Sequence, residues 1–330
     1  MAVYQHNKIN MNWSPWIRAA RLRTLPLAVT CVLLGAAVAQ AEGLDSEGTA
    51  RFAPVVMGAL VTVILLQVLA NFANDYGDFT KGTDTAAGRD DRALASGALT
   101  AASMKRALGI TALLAFLAGV ATLMVAFVPG TVPGTEGVGN VDALRMGILG
   151  ALGVAGIVAA MRYTIGRKSY GYQGFGDFYV MLFFGWAGVL GVGHLVAHHV
   201  SPTWVMPALF SGCMSVAVLN LNNLRDHESD ALAGKNTTVV RLGFRGGKRY
   251  HLAVLALGWG ALGAFFLGPW NEGVWRGTLW YGLIALVHAR HAVDVWRCTN
   301  PKDLDPELKR VALSSFLVAL FMFMDQTLTP

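Results

Sequence analysis

Charge is what this chain has least of. Only 14% of its 330 residues are charged while 54% are hydrophobic, whereas a soluble domain carries about 25% charged residues. A soluble core of this length would lack the polar surface to cover itself. Cysteine is scarce as well. Cys31, Cys213 and Cys298 are the only three, with no C-x-x-C pair and no close histidine partner. That excludes a disulfide framework and a thiolate zinc site, and Cys31 and Cys213 fall inside apolar runs, where a thiol behaves as a small hydrophobe. No heptad or short-period repeat is present. The formal charge of +6 and an isoelectric point near 9.3 raise the question of nucleic acid. The basic residues, however, are scattered in short loops between apolar runs rather than gathered on one aromatic-bearing surface, so nucleic acid is not an expected partner.

Long uncharged runs are abundant. Nine apolar segments span residues 25–41, 53–74, 107–128, 143–161, 176–197, 203–222, 251–268, 274–289 and 311–325. Each is close to the ~20 residues with which an α-helix crosses ~30 Å of hydrocarbon. The predicted fold is all-α: a polytopic membrane protein with nine transmembrane helices, in which residues 1–24 form a cytoplasmic tail and residues 25–330 a single transmembrane domain. Arg18, Arg21 and Arg23 ahead of the first run, with Ala37, Val38 and Ala39 near its end, imitate a signal peptide. The length of the basic region and the eight runs that follow favour a retained span. With the N-terminus in the cytoplasm, 23 of the 26 Lys and Arg residues fall on the cytoplasmic side, leaving Arg51, Arg145 and Arg276 outside. This bias predicts a cytoplasmic N-terminus and an external C-terminus. Of the outer-loop histidines, His194, His198 and His199 sit beside a turn, where solvated rings are commoner than metal ligands.

Two of the runs end in carboxylates and carboxamides. Residues 71–84 contain Asn71, Asn74, Asp75, Tyr76, Asp78, Lys81, Gly82 and Asp84, and residues 222–235 contain Asn222, Asn223, Arg225, Asp226, Glu228, Asp230, Gly234 and Lys235. Each cluster is followed by a Gly/Lys pair and opens a basic loop, a pseudo-repeat that would face two half-sites across one cavity. Residues four apart share a helix face, so Asn74 pairs with Asp78, Asn71 with Asp75, and Asn222, Asp226 and Asp230 form a row. Carboxylates this close repel one another unless a cation offsets them. Magnesium suits such a set, because it takes oxygen ligands, keeps waters and joins one or two carboxylates to substrate phosphates. One cluster alone reads equally well as a solvated helix end; two with matching spacing on membrane spans argue for a divalent-metal site on the cytoplasmic face.

Lys81, Arg89 and Arg92 follow the first cluster, Arg225 and Lys235 accompany the second, and Arg162, Arg167 and Lys168 occupy the intervening loop. These suit phosphate contact, although each also belongs to the positive-inside pattern. A metal-bound diphosphate at the mouth of an apolar bundle suggests a lipid substrate with the diphosphate as leaving group, stabilised by Mg²⁺ and Lys/Arg as its charge develops. The allylic cation left behind needs aromatic faces and exclusion of water, for which Tyr76, Tyr163, Tyr170, Tyr172 and Phe175 are candidates.

Asn-x-x-Asn-Asp-Tyr-x-Asp-x-x-x-Gly-x-Asp at 71–84, Asn-Asn-x-Arg-Asp-x-Glu-x-Asp at 222–230 and Ala-Gly-Lys-x-Thr at 233–237 resemble the UbiA superfamily of intramembrane prenyltransferases. Tyr163 and Thr164, then Tyr170, Tyr172, Gly176 and Asp177 and the Phe183–Gly185 run, look like its 1,4-dihydroxy-2-naphthoate branch in menaquinone synthesis. The resemblance implies Mg²⁺-dependent transfer of a polyprenyl chain from polyprenyl diphosphate to 1,4-dihydroxy-2-naphthoate, giving demethylmenaquinol, in a multi-pass enzyme of the bacterial inner membrane. It implies Asn74, Asp78, Asp84, Asn222, Asp226 and Asp230 as metal ligands, with Asp75 completing the expected set. Diphosphate contacts are expected from Lys81, Arg89, Arg92, Arg225, Lys235, Tyr163 and Lys168, and catalytic roles for Asp78, Asp226 and Lys81, with Asp177 as a candidate base. Two departures lie near the acceptor end: Ile-Gly-Arg-Lys-Ser at 165–169 replaces a Gly-Gly-Pro-type turn, and Asp177 stands where Glu is commoner. Other aromatic acceptors (4-hydroxybenzoate, homogentisate), haem, a cation-coupled transporter and a membrane diphosphatase are the competing readings.

Overall fold

The computed structural model describes residues 13–83, 92–133, 135, 142–268 and 278–327. Every regular element among them is helical: α1 (Ser14–Ala20), α2 (Leu25–Ala41), α3 (Ser46–Thr80), α4 (Ala101–Phe127), α5 (Ala143–Arg162), α6 (Gly176–Ala197), α7 (Val205–Leu232), α8 (Thr238–Leu267), α9 (Thr278–Arg297) and α10 (Asp305–Thr327). The starts have local causes. Asp45, Thr100, Asp142 and Thr237 each accept a backbone N–H from the first turn of α3, α4, α5 and α8, satisfying donors that a helix end otherwise leaves orphaned.

Among the described residues, seven helical stretches are long and apolar enough to cross a membrane: Ser14–Ala41, Ser46–Thr80, Ala101–Phe127, Ala143–Arg162, Gly176–Ala197, Pro202–Leu232 and Thr238–Leu267. The eighth and ninth predicted segments are also helices, α9 and α10, but they carry His288, His291, Asp294, Asp305, Glu307 and Arg310. Much of that polarity faces inward. His251 of α8 lies 2.8 Å from His291, which bonds Glu307, while His288 accepts from Trp259 and contacts Ser314. The three helices thus turn much of their polarity toward one another rather than toward lipid.

Most consecutive helices pack side by side, α5 and α6 being an exception, and α10 closes the bundle against α2. α2 and α7 form the interior, with most of their side chains buried, whereas Ala159 is the one buried residue of α5. Two features shape the inner wall. Residues Met181–Leu190 within α6 are wound as a π-helix, a form concentrated at functional sites. Gly188 there lets α2 approach so closely that an added Cβ would stand 2.9 Å from Cys31 Sγ. The second feature is length. At 1.5 Å per residue, the 35 residues of α3 extend roughly 52 Å, well beyond a ~30 Å hydrocarbon layer. Its last turns, which carry the first acidic cluster, are surplus to spanning.

Candidate active site

A cavity of about 420 Å³ runs between α2, α3, α4, α5, α6 and α7. Its wall on α3 extends from Ala59 to Asp78, roughly 28 Å along the helix axis. Away from the clusters it is apolar, bounded by Leu27, Val63, Leu123, Leu149, Val192 and Leu195; toward the clusters it becomes polar and charged.

Both motifs continue their helices rather than ending them, so the four-residue spacing holds. Asn74 and Asp78 of α3 and Asn222, Asp226 and Asp230 of α7 all line this one cavity. Lys235, just after α7, joins the two halves, its Nζ lying 3.1 Å from Asp78 and 3.4 Å from Asp230. Burial works against that ammonium, but Asp78 and then Asp230 outweigh it, raising its pKa above the ordinary lysine value. Asp78 is itself buried and accepts the Tyr172 hydroxyl at 2.8 Å. Asp226 receives a two-pronged contact from the neighbouring Arg225, which also reaches Asp305 at the start of α10. Asp305 in turn binds Arg23 at 2.8 Å.

Not every expected residue faces the cavity. Asp75, expected as a metal ligand, is buried at 1% exposure and does not line it. Being one residue on from Asn74, it points about a quarter-turn away, and its Oδ1 accepts from Arg21 at 2.6 Å and Arg92 at 2.7 Å. Asp177, the candidate base, is likewise off the cavity and accepts the Thr238 hydroxyl at 2.6 Å. Lys168 is exposed. Lys81 caps the site from outside, bonded to Ser169 with its Nζ 3.6 Å from the Tyr172 ring centre. Burial lowers its pKa, and Asp78 only partly offsets that. Arg92 and Tyr163 line the cavity as expected, while Asp84 and Arg89 lie outside the described residues.

Of the aromatic candidates, Tyr163 and Tyr170 line the cavity. Tyr76 packs into the core between α3 and its neighbours, and Phe175 is 53% exposed. The sequence reading overlooked Tyr179 and Phe183, which stack in series with Tyr170 to form an aromatic wall. It also took Arg21 and Arg23 only as topology signals, although both line the cavity. Their triplet with Arg18, directly ahead of the first span, was the available hint. Of the histidines beside the turn after α6, His199 bonds Glu42 and His198 bonds the Ala126 carbonyl.

The donor set bears on a metal. No group of three or more His, Cys, Asp or Glu residues among those described is gathered closely enough to form a ready cage. Mg²⁺ does not require one, since waters and substrate phosphates complete its shell around one or two carboxylates. Hard oxygen donors on two facing helices, each carboxylate already matched by a cation, fit that pattern: Asp78, Asp226 and Asp230, with Asn74 and Asn222, would hold the ion.

Comparison with known proteins accords with this geometry. A profile of the UbiA prenyltransferase family matches residues 143–319. A protein of Escherichia coli strain K12 described as 1,4-dihydroxy-2-naphthoate octaprenyltransferase is 38% identical, the alignment covering 94% of this chain and 96% of that one. A Haemophilus influenzae protein of the same description is 37% identical over 94% of both chains. Among solved structures, a UbiA homologue from Archaeoglobus fulgidus bound to DMAPP and Mg²⁺ superposes with a TM-score of 0.52 at 14% identity, covering 95% of this chain and 99% of that one. A structure described under the biosynthesis of digeranylgeranylglyceryl phosphate synthase superposes with a TM-score of 0.59 at 13% identity, covering 96% and 99%.

Proposed function

Because the chain belongs to the UbiA prenyltransferase family, we propose that this enzyme transfers a polyprenyl chain from its diphosphate to 1,4-dihydroxy-2-naphthoate, with release of diphosphate and loss of the acceptor's carboxylate as CO₂, yielding demethylmenaquinol, with Mg²⁺ as cofactor. The observation that carries the reading is the cavity's two-part character, with oxygen donors and cations at one end and a long apolar wall at the other. A charged head and an isoprenoid tail are the chemistry such a cavity accepts. The acceptor is supported by the descriptions of the E. coli and H. influenzae relatives, and Mg²⁺ by the donor set and by the ligands of the A. fulgidus homologue.

In this mechanism the cavity's cations, Arg21, Arg92, Arg225 and Lys235, orient the diphosphate and take up charge as it leaves. Asp75 holds Arg21 and Arg92, Asp226 holds Arg225 and Asp78 holds Lys235, and Asp78 and Asp226 would be the principal metal ligands. Bound Mg²⁺ would supply electrostatic stabilisation of the departing diphosphate. Tyr163, Tyr170, Tyr179 and Phe183 present ring faces beside the cavity, suited to an allylic cation, and the surrounding apolar wall keeps water from it. The site opens to the cytoplasm of a nine-span protein with its N-terminus inside and C-terminus outside, anchored in the inner membrane among membrane lipids. In this proposal residues 1–24 lie on the cytoplasmic side and residues 25–330 form the transmembrane domain.

The deciding experiment is incubation of purified protein with Mg²⁺, labelled octaprenyl diphosphate and a panel of aromatic acid acceptors. Prenylation of 1,4-dihydroxy-2-naphthoate in preference to 4-hydroxybenzoate and homogentisate is expected. Transfer to another acceptor would overturn the acceptor assignment, and phosphate release without transfer would indicate a diphosphatase.

A further inference from the structure

We propose that Asp75 is a positioning residue rather than a metal ligand: its buried carboxylate oxygen holds Arg21 and Arg92 side by side as a two-guanidinium clamp for the diphosphate of the prenyl donor. This deepens the reading above and rests on it. The first ground is the shared acceptor. A single Asp75 oxygen accepts from both guanidinium groups, at 2.6 and 2.7 Å, and Asp75 is 1% exposed. Both arginines line the cavity, and the fixed fork of a guanidinium suits a phosphate better than a point charge does. Arg21 Nε is also buried without a hydrogen-bond partner among the described residues, a donor the resting protein leaves unused.

The second ground is how Arg21 arrives there. It ends α1 with φ 51° and ψ 58°, a left-handed backbone that non-glycine residues seldom adopt. Tertiary contacts enforce it. Asn71 Nδ2 donates to the Ala20 carbonyl at 2.8 Å, Thr24 Oγ1 donates to the Arg21 carbonyl at 3.0 Å, and Trp16 packs edge-on against Phe72. Asn74, in the amide orientation that satisfies its neighbours, accepts from Arg21 Nη2 at 2.6 Å. The C-terminal turns of α3 thus carry two jobs on adjacent stripes. Asn71 and Asp75 grip the N-terminal segment and aim its arginine, with Asn71 also at the cavity wall, while Asn74 and Asp78 face the cavity and Asn74 adds a contact to the same arginine. For Asp75 to reach a metal it would have to release both arginines and turn out of the helix face it occupies.

The test is titration of the full-length protein in detergent with inorganic pyrophosphate and with an unreactive prenyl thiolodiphosphate, at saturating Mg²⁺, followed by Mg²⁺ titration of turnover. Asp75→Asn and Arg21→Lys are compared with wild type and with Asp78→Asn. Breaking a buried charged contact is expected to weaken binding of both probes at least about tenfold. In Asp75→Asn the KM for prenyl diphosphate should rise with kcat recovered at saturation, and the Mg²⁺ concentration for half-maximal turnover should stay within about twofold of wild type. A residue of purely structural importance would lower the melting temperature without this division between KM and kcat. Arg21→Lys keeps a cation on Asp75 and carries the test if Asp75→Asn fails to fold. An Asp75→Asn protein whose Mg²⁺ requirement shifts as that of Asp78→Asn does, or an Arg21→Lys protein with unaltered probe affinity, would overturn the clamp. Wild-type protein that binds neither probe would instead overturn the prenyl-donor reading itself.

Discussion

Asp78 concentrates the chemistry of the site into one side chain. It is buried in α3, takes the Tyr172 hydroxyl, and shares Lys235 with Asp230 of the opposite motif. Removing its charge leaves Lys235 half-compensated and removes one side of the proposed metal pair, so Asp78→Asn and Asp226→Asn should each lower kcat by about a hundredfold or more while the protein still folds. Near-normal turnover in both, measured on monodisperse protein, would rule out a metal site between the motifs. Proton occupancy at Lys81 gives a second prediction at this scale. Burial depresses its pKa, with Asp78 opposing, whereas that of Lys235 is raised. As pH climbs, Lys81 is therefore the first of the two to lose its charge, and kcat/KM for the prenyl diphosphate should fall on the alkaline side below the ordinary lysine pKa. Arg is charged at all accessible pH, so Lys81→Arg should move that limb upward; an unchanged profile would exclude Lys81 as its source.

Elements position these residues through close backbone approaches. Gly77 precedes Asp78 at the point where α3 meets the turn after α5, and a Cβ there would stand 2.5 Å from Thr164 Oγ1 and 2.8 Å from the Thr164 backbone carbon. Thr164 is pinned in place, its hydroxyl donating to the Ala73 carbonyl at 2.6 Å, so it cannot yield easily. Gly77→Ala should cost about 1–3 kcal/mol, seen as a lower melting temperature in detergent, and should reduce turnover because Asp78 moves with the displaced helix. Wild-type stability and activity in this variant would mean the turn adapts. The π-helical part of α6 acts in the same way on the opposite wall. It brings Phe183 toward the cavity while Gly185 and Gly188 let α7 and α2 pack against its back.

Across the whole molecule, the two clusters, far apart in sequence, meet because the bundle closes on itself. The ion pairs Arg23–Asp305–Arg225 join the segment before α2, the start of α10 and the second motif at one end of the molecule. That end also carries most of the basic residues that predict a cytoplasmic face. An alkaline phosphatase fused after residue 330 should accordingly be active in intact cells and one fused at the N-terminus inactive; the reverse pattern would overturn the orientation. Chelation should likewise abolish prenyl transfer, and added Mg²⁺ restore it.

Much was legible in the sequence because it depends on local period. Apolar runs of spanning length set the helices, and a four-residue repeat of Asn and Asp put Asn74 with Asp78 and Asn222 with Asp226 and Asp230 on common faces, as the structure has them. Helical periodicity survives in the tertiary structure because each helix satisfies its own backbone. Which neighbour a face meets is not a local property. Asp75 differs from Asn74 by one position and about 100°, yet whether its face met the cavity or another segment depended on where α1 docks. Arg21 and Arg23 read as topology signals, yet both line the cavity, Arg21 held by Asp75 of α3 after its left-handed turn and Arg23 by Asp305 of α10. Tyr179 looks like an ordinary span residue and Phe183 like part of a family run until the fold places both on the cavity wall, Phe183 within the widened winding of α6. The sequence by itself determined the helices and the motif residues that share their faces. Only the tertiary structure decided which of those residues share the cavity and which hold them there, because that depends on packing between helices distant in the chain.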